Sequence, residues 1–157
     1  MPSTPSAPGV PPPTGDVVES RIDGEFTGWT GETLFPLLNG QLWQQASYAY
    51  HYHYAYSPSV IIVRSGAQFE MHVDGVDPSV AVSLVDLLVD SFIVNDFNGW
   101  DGDTLFELQN GQIWQQVGPG IETHVAVRPR ALIFRGGGGA KLHVDGVDST
   151  VLVEQLR

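Results

Sequence analysis

Apolar and polar residues alternate with a period of two along most of the chain, which is the spacing of strands with one buried face. Val18, Ser20, Ile22 and Gly24 alternate with charged neighbours and mark a first strand. "TLFPLL" (33–38) marks a second and "QLWQQ" (41–45) its return. Asn39-Gly40 lies between them, and Asn-Gly between apolar runs predicts a hairpin with a type I′ turn, which needs positive φ at both central residues. The run 48–56, "YAYHYHYAY", carries Tyr48, Tyr50, Tyr52, Tyr54 and Tyr56 at every second position. It reads as a fourth strand that continues past Pro58 into "VIIV" (60–63). "FEMHV" and "VAVSLV" supply two more, separated by turns at "SGAQ" and "DGVD". No window has helical spacing.

The pattern is written twice. "GWTGETLFPLLNGQLWQQ" (28–45) returns as "GWDGDTLFELQNGQIWQQ" (99–116), and "HVDGVD" (72–77) returns at 143–148, both 71 residues later. Laid against each other without a gap, 20–86 and 91–157 share 30 of 67 positions, a match that chance does not produce. Each copy has about six short strands, so the expected fold is all-β, with two tandem small barrels whose closure removes exposed edges. Repeat 1 is expected at 18–86 and repeat 2 at 91–157. Residues 1–17 are rich in Pro and Ser and read as a disordered tail, partly polyproline II. The segment 82–94, "VSLVDLLVDSFIV", is apolar and lacks Gly and Pro, unlike a flexible linker. It places Leu84, Leu87, Leu88 and Val89 in buried positions where the repeats meet.

A string Leu-x-Asn-Gly-Gln-x-Trp-x-Gln occurs in both copies. In the first it is Leu37, Asn39, Gly40, Gln41, Trp43 and Gln45; in the second it is Leu108, Asn110, Gly111, Gln112, Trp114 and Gln116. This string resembles one in a group of small, uncharacterised bacterial proteins with an SH3-like barrel. The upstream Gly-Trp-x-Gly-[Glu/Asp]-Thr-Leu-Phe and the aromatic strand are similar to that group as well. The resemblance implies two SH3-like barrels and brings no activity with it.

Composition narrows the partners. A hydrophobic content of 42% is enough for a packed core. The net charge is −11 and only seven residues are Lys or Arg, which argues against nucleic acid or an anionic membrane as partner. No apolar run approaches the roughly 18–20 residues that span a bilayer. Cysteine is absent, which excludes disulfides and thiolate chemistry. Residues 1–15 lack the basic and apolar regions of a secretory signal.

Several side chains are candidates for chemistry. His51 and His53 share one strand face about 7 Å apart, a spacing that can chelate a metal with His72 or Asp74. Copy 2 has Glu122 in place of His51, and no second His-rich strand supports the pair. The plainer reading has His53 and His124 hydrogen-bonding a neighbouring strand and His72 and His143 bracing the DGVD turns, so no metal is expected. Asp96, Asn98, Asp101 and Asp103 could wrap calcium, but their spacing departs from the EF-hand and suits turns equally. "RGGGGAK" (135–141) lacks the Ser/Thr and the helix of a phosphate loop and reads as a hairpin turn. No Ser nucleophile sits on a recognisable elbow. Nothing asks for a cofactor.

The aromatic residues remain. Trp43 and Trp114 lie on strands and should plug each barrel. Trp29 and Trp100 lie in Gly-Trp-x-Gly turns, either exposed to grip a ligand or folded back as caps. Copy 2 has Pro119, Ile121, Thr123, Val125 and Val127 where copy 1 has its five tyrosines. Its opposite face carries Glu122, His124 and Arg128. This comparison turns the tyrosine face inward at Tyr54 and Tyr56 and leaves Tyr48 and Tyr50 exposed as partner contacts. The expected binding residues are therefore Trp29, Trp100, Tyr48 and Tyr50. The expected function is a non-catalytic protein-binding or assembly module, self-assembly included. The alternative is a carbohydrate-binding module using the same aromatics, and an enzyme comes third.

Overall fold

The computed structural model describes residues 17–157, among which every regular element is a strand. It divides into two units, one ending at Val85 and the other Asp86–Arg157. The tail expected at 1–17 lies outside the described residues except at its end. There Val17 is already paired with Val63, because the Val-Val-Glu-Ser-Arg alternation begins one residue earlier than expected.

The first unit holds β1 (Val17–Arg21), β2 (Glu25–Trp29), β3 (Leu34–Pro36), β4 (Leu42–Gln45), β5 (His51–Tyr56), β6 (Ser59–Ser65), β7 (Gln68–Val73) and the first part of β8 (Val80–Phe92). All pairings are antiparallel, in the order β1-β6-β7-β8-β4-β3, while β2 and β5 form their own ladder. Strand alternation sends Val60, Ile62, Met71 and Val82 into one core with Phe26, Trp29, Phe35 and Trp43. Trp43 has no exposed surface and meets Phe69 edge-on, ring centres 5.2 Å apart. Burying each such side chain contributes about 1.5–3 kcal/mol, so this core carries the unit.

The second unit takes the rest of β8 with β9 (Asp96–Phe97), β10 (Leu105–Glu107), β11 (Ile113–Gln116), β12 (Ala126–Val127), β13 (Arg130–Gly136), β14 (Gly139–Val144) and β15 (Val151–Gln155). Its order is β8-β13-β14-β15-β11-β10, with β9 and β12 apart. A second core gathers Phe97, Trp100, Phe106, Trp114, Ile133 and Leu142.

The ladders leave both sheets open, where closed barrels were expected. Between the outer strands of the first unit there is one bridge, Ile22 to Leu37. The Asp23 N–H donates to the Pro36 carbonyl at 2.8 Å and the Leu38 N–H to that of Arg21 at 2.9 Å. The second unit has the matching bridge, Ile93 to Leu108.

Three local expectations change. The first hairpin is not a two-residue Asn-Gly turn. Its loop is Leu38, Asn39 and Gly40, and Gly40 alone takes positive φ, at 90°. Asn39 instead keeps its ordinary backbone and accepts the Gln41 N–H on its side-chain oxygen at 2.9 Å. The tyrosine strand does not run on into "VIIV", because Ser57 (φ 48°) turns the chain and Pro58 offers no N–H. The Ser57 N–H donates to the Gly24 carbonyl and the Ser57 hydroxyl to that of Ile22, both at 2.8 Å. Of the junction residues, Leu84 packs on the first core and Val89 belongs to the second, but Leu88 is exposed. The alternation of β8 turns it outward. The glycine run behaves as read, pairing Gly136 with Gly139 across a two-residue turn.

Candidate functional site, an outward tyrosine face

The site is built on β2 and β5, which pair Glu25 with Tyr56, Phe26 with Ala55, Gly28 with Tyr52 and Trp29 with His51. The register slips between Phe26 and Gly28. Gly28 has φ 98°, and a Cβ there would run into the His51 carbonyl oxygen. Only glycine combines that backbone angle with so close an approach. Gly99 stands in the same relation to Glu122 in the second unit.

Gln45 fixes the lead-in to β5 from behind. Its buried side-chain oxygen accepts the Gly31 N–H at 2.7 Å, and its amide donates to the Ala49 carbonyl at 2.8 Å. Gln116 repeats this, accepting from the Gly102 N–H at 2.8 Å and donating to the Gly118 and Gly120 carbonyls at 3.0 Å. The rest of the repeated string is also structural. The Trp43 indole N–H donates to the Gln41 Oε1 at 3.1 Å, and that of Trp114 to the Gln112 Oε1 at 3.0 Å.

Alternation along β5 then divides its side chains. His51 lies against Trp29, ring centres 5.2 Å apart, His53 faces Phe26 at 6.5 Å, and Ala55 packs on the core. The tyrosines point the other way, with Tyr48 84%, Tyr50 75%, Tyr52 76%, Tyr54 52% and Tyr56 71% exposed. Tyr48 and Tyr50 are exposed as expected. Tyr54 and Tyr56 are not buried, which corrects the inward reading of this face. Phe26 and Trp29 already fill the core beneath β5, so its inner positions take imidazole and methyl groups, and the larger phenols go to water. The same holds in the second unit, where Ile121, Val125 and Val127 are exposed and Ala126 packs inward. Apolar character on this face is therefore not a sign of burial in either copy.

Trp29 and Trp100 are 2% and 4% exposed, so the indoles cap their cores and are withdrawn as surface contacts. Trp29 meets Phe26 edge-on, and Trp100 meets Phe97 and Phe106 likewise. A cap needs both the indole and a neighbour to close over, which the sequence could not supply.

The tyrosine hydroxyls are not equivalent. The Tyr50 hydroxyl hangs over Gly31, 3.6 Å from where a Cβ would stand. The Tyr54 hydroxyl donates to Glu25 Oε2 at 3.3 Å. The charge of that carboxylate raises the Tyr54 phenol above its ordinary value, and the hydrogen bond adds to it.

Among the described residues no group of three or more His, Asp or Glu side chains is gathered as metal ligands. His53 and His124 face the glycines of the DGVD turns, with His124 Nε2 3.1 Å from a Cβ placed on Gly146. Asp101 serves its own turn, accepting the Thr104 hydroxyl at 2.9 Å. Burial pushes the His143 imidazole below the usual histidine range; Asp145 and Asp148 oppose this shift and Arg130 adds to it. Sequence reasoning missed the buried Gln45 and Gln116 pair, whose signal was their identity in both copies.

No family model, curated protein or solved structure matches the chain.

Proposed function

We propose that the chain is a non-catalytic protein-binding module whose contact surface is the tyrosine face of the first unit. The observation that carries this reading is the row itself, five exposed tyrosines on the outer side of one segment. An exposed aromatic row offers broad apolar area at small cost in side-chain entropy, with a hydroxyl at each tip for hydrogen bonding. The scaffold in this reading is a pair of small SH3-like barrels from an internal duplication. The bridges Ile22–Leu37 and Ile93–Leu108 support it, since each joins the two outermost strands of its sheet.

The carbohydrate reading loses its two indoles to the cores and keeps only the phenols. Peptide and glycan arrays probed with the wild-type chain and with Tyr50→Ala/Tyr52→Ala separate the two. Peptide binding lost in the variant is expected. Binding confined to glycans would replace this proposal with the carbohydrate one.

A further inference from the structure

Resting on the protein-binding reading, we propose that the tyrosine face takes an extended, arginine-bearing segment of a partner protein, with guanidinium groups lying on the phenol rings and one of them paired with Glu25.

The ladder gives the face both halves of such a contact. Glu25 and Tyr56 are opposite residues of β2 and β5, and opposite residues share a face with Cβ atoms about 5 Å apart. Glu25 also accepts the Tyr54 hydroxyl at 3.3 Å. Its carboxylate therefore lies beside two exposed rings, and its charge is felt at the Tyr54 oxygen, where it holds the phenol above its ordinary value. Negative potential beside the faces of aromatic rings favours a cation.

The stretch that builds the face supplies no such cation. Between Arg21 and Arg64 the sequence carries Asp23, Glu25 and Glu32 but no Lys or Arg. Arg21 donates to the Ser59 hydroxyl at 3.1 Å, and Arg64 lies over the Phe69 ring at 4.6 Å. His51 and His53 turn their rings to Trp29 and Phe26 beneath the face.

The period of the row selects the shape of the segment. Tyr52, Tyr54 and Tyr56 stand about 7 Å apart, as alternate residues of a strand do. An extended peptide repeats its own alternate side chains at the same step, so arginines at every second position meet successive rings in register. Arginine suits the face better than lysine, because its planar guanidinium stacks on a ring and offers paired N–H donors to a carboxylate. A second copy of the chain is a poor occupant, since each copy has a net charge of −11. The second unit has only half of the arrangement. Asp96 stands at the position of Glu25, but the row there is Pro, Ile, Thr, Val and Val, without a ring.

The test titrates the full chain with short synthetic peptides of equal length that carry Arg, Leu or Glu at alternate positions with Ser between. All five tyrosines of the protein lie in this row, so NMR of ring-labelled tyrosine reports on it alone. The arginine peptide is expected to move the Tyr52, Tyr54 and Tyr56 signals saturably, and less at high salt. Glu25→Gln should weaken it about two- to fivefold, the worth of one exposed ion pair. Tyr52→Ala/Tyr56→Ala should weaken it more than about fourfold, the worth of two exposed cation–π contacts. The four indole signals confirm that both variants are folded. Equal affinity for wild type and Tyr52→Ala/Tyr56→Ala would overturn the proposal, because net charge alone would then hold the peptide. An affinity unmoved by Glu25→Gln, or movement of the rings by the glutamate peptide, would overturn it as well. If the leucine peptide binds as tightly as the arginine one, or only other array peptides bind, this inference fails and the protein-binding reading stands. If the rings respond to glycans alone, both fail.

Discussion

His51 lies against Trp29 with ring centres 5.2 Å apart and planes tilted by 31°, and the two residues face each other across β2 and β5. The imidazole that looked like half of a metal chelate is thus a lid over a core indole. Trp29→Ala is expected to cost about 3–5 kcal/mol, as large aromatic truncations in cores do, and His51→Ala distinctly less. Urea denaturation midpoints check the order. A larger loss for His51→Ala would contradict the lid assignment.

Gly28 and Gly99 should be the least replaceable glycines of their units. An alanine at either must hold positive φ and displace a backbone carbonyl. Gly28→Ala is expected to destabilise by at least about 2 kcal/mol, the cost of a strained backbone before any clash. Gly24→Ala provides the comparison, since it shares positive φ but meets nothing within 4 Å. Equal losses at the two positions would mean that the close approach to His51 carries no weight.

Gln45→Leu keeps the volume and strands two backbone groups, the Gly31 N–H and the Ala49 carbonyl. Leaving such groups unpaired costs about 1–3 kcal/mol. The neighbouring Gln44 reaches the Glu32 carbonyl only at the surface, and Gln44→Leu should stay within about 0.5 kcal/mol. Chemical denaturation of both variants gives the contrast directly. If Gln45→Leu matched Gln44→Leu, the clamp would be dispensable.

Tyr54 should behave as a surface residue with one electrostatic tie. Tyr54→Phe is expected to leave the denaturation midpoint essentially unchanged. Its phenol should ionise above the ordinary 10.0, because the Glu25 carboxylate opposes a second negative charge. Glu25→Gln should lower it again, which a pH titration of the Tyr54 ring signals by NMR will show. A Tyr54 titration unmoved by Glu25→Gln would refute the tie.

His143 sets the sign of a pH effect. Its pKa is lower in the folded chain than the ordinary 6.5, so the unfolded chain binds the proton more tightly. Stability is then full above 6.5 and is lost as pH falls from 6.5 through the folded value. Denaturation midpoints measured across that range should decline toward acid, and less steeply in His143→Gln. A steeper decline in the variant would reverse the assignment.

The strands and the repeat could be read from alternation because period two survives wherever one face is buried, as in Val60 and Ile62. Which face is buried could not be read for β5. Tyrosine, isoleucine and valine look like core residues, and only the position of Phe26 and Trp29 beneath the segment shows that the space was taken. The turn at Asn39 was misread for a similar reason. Its side chain serves Gln41 by a local bond, and a dipeptide rule does not include that bond. Gln45 and Trp29 acquire their roles from partners more than ten residues away or across a strand, which spacing alone does not encode.

The clamp formed by Gln45 and Gln116 grips backbone carbonyls and N–H groups and takes no hold on the outer side chains. Scaffold and display are therefore uncoupled. The five outer positions read Tyr, Tyr, Tyr, Tyr, Tyr in one copy and Pro, Ile, Thr, Val, Val in the other over the same fastening. Such a surface is an exchangeable faceplate. Its side chains can be rewritten in one copy without loosening the backbone bonds that fasten it.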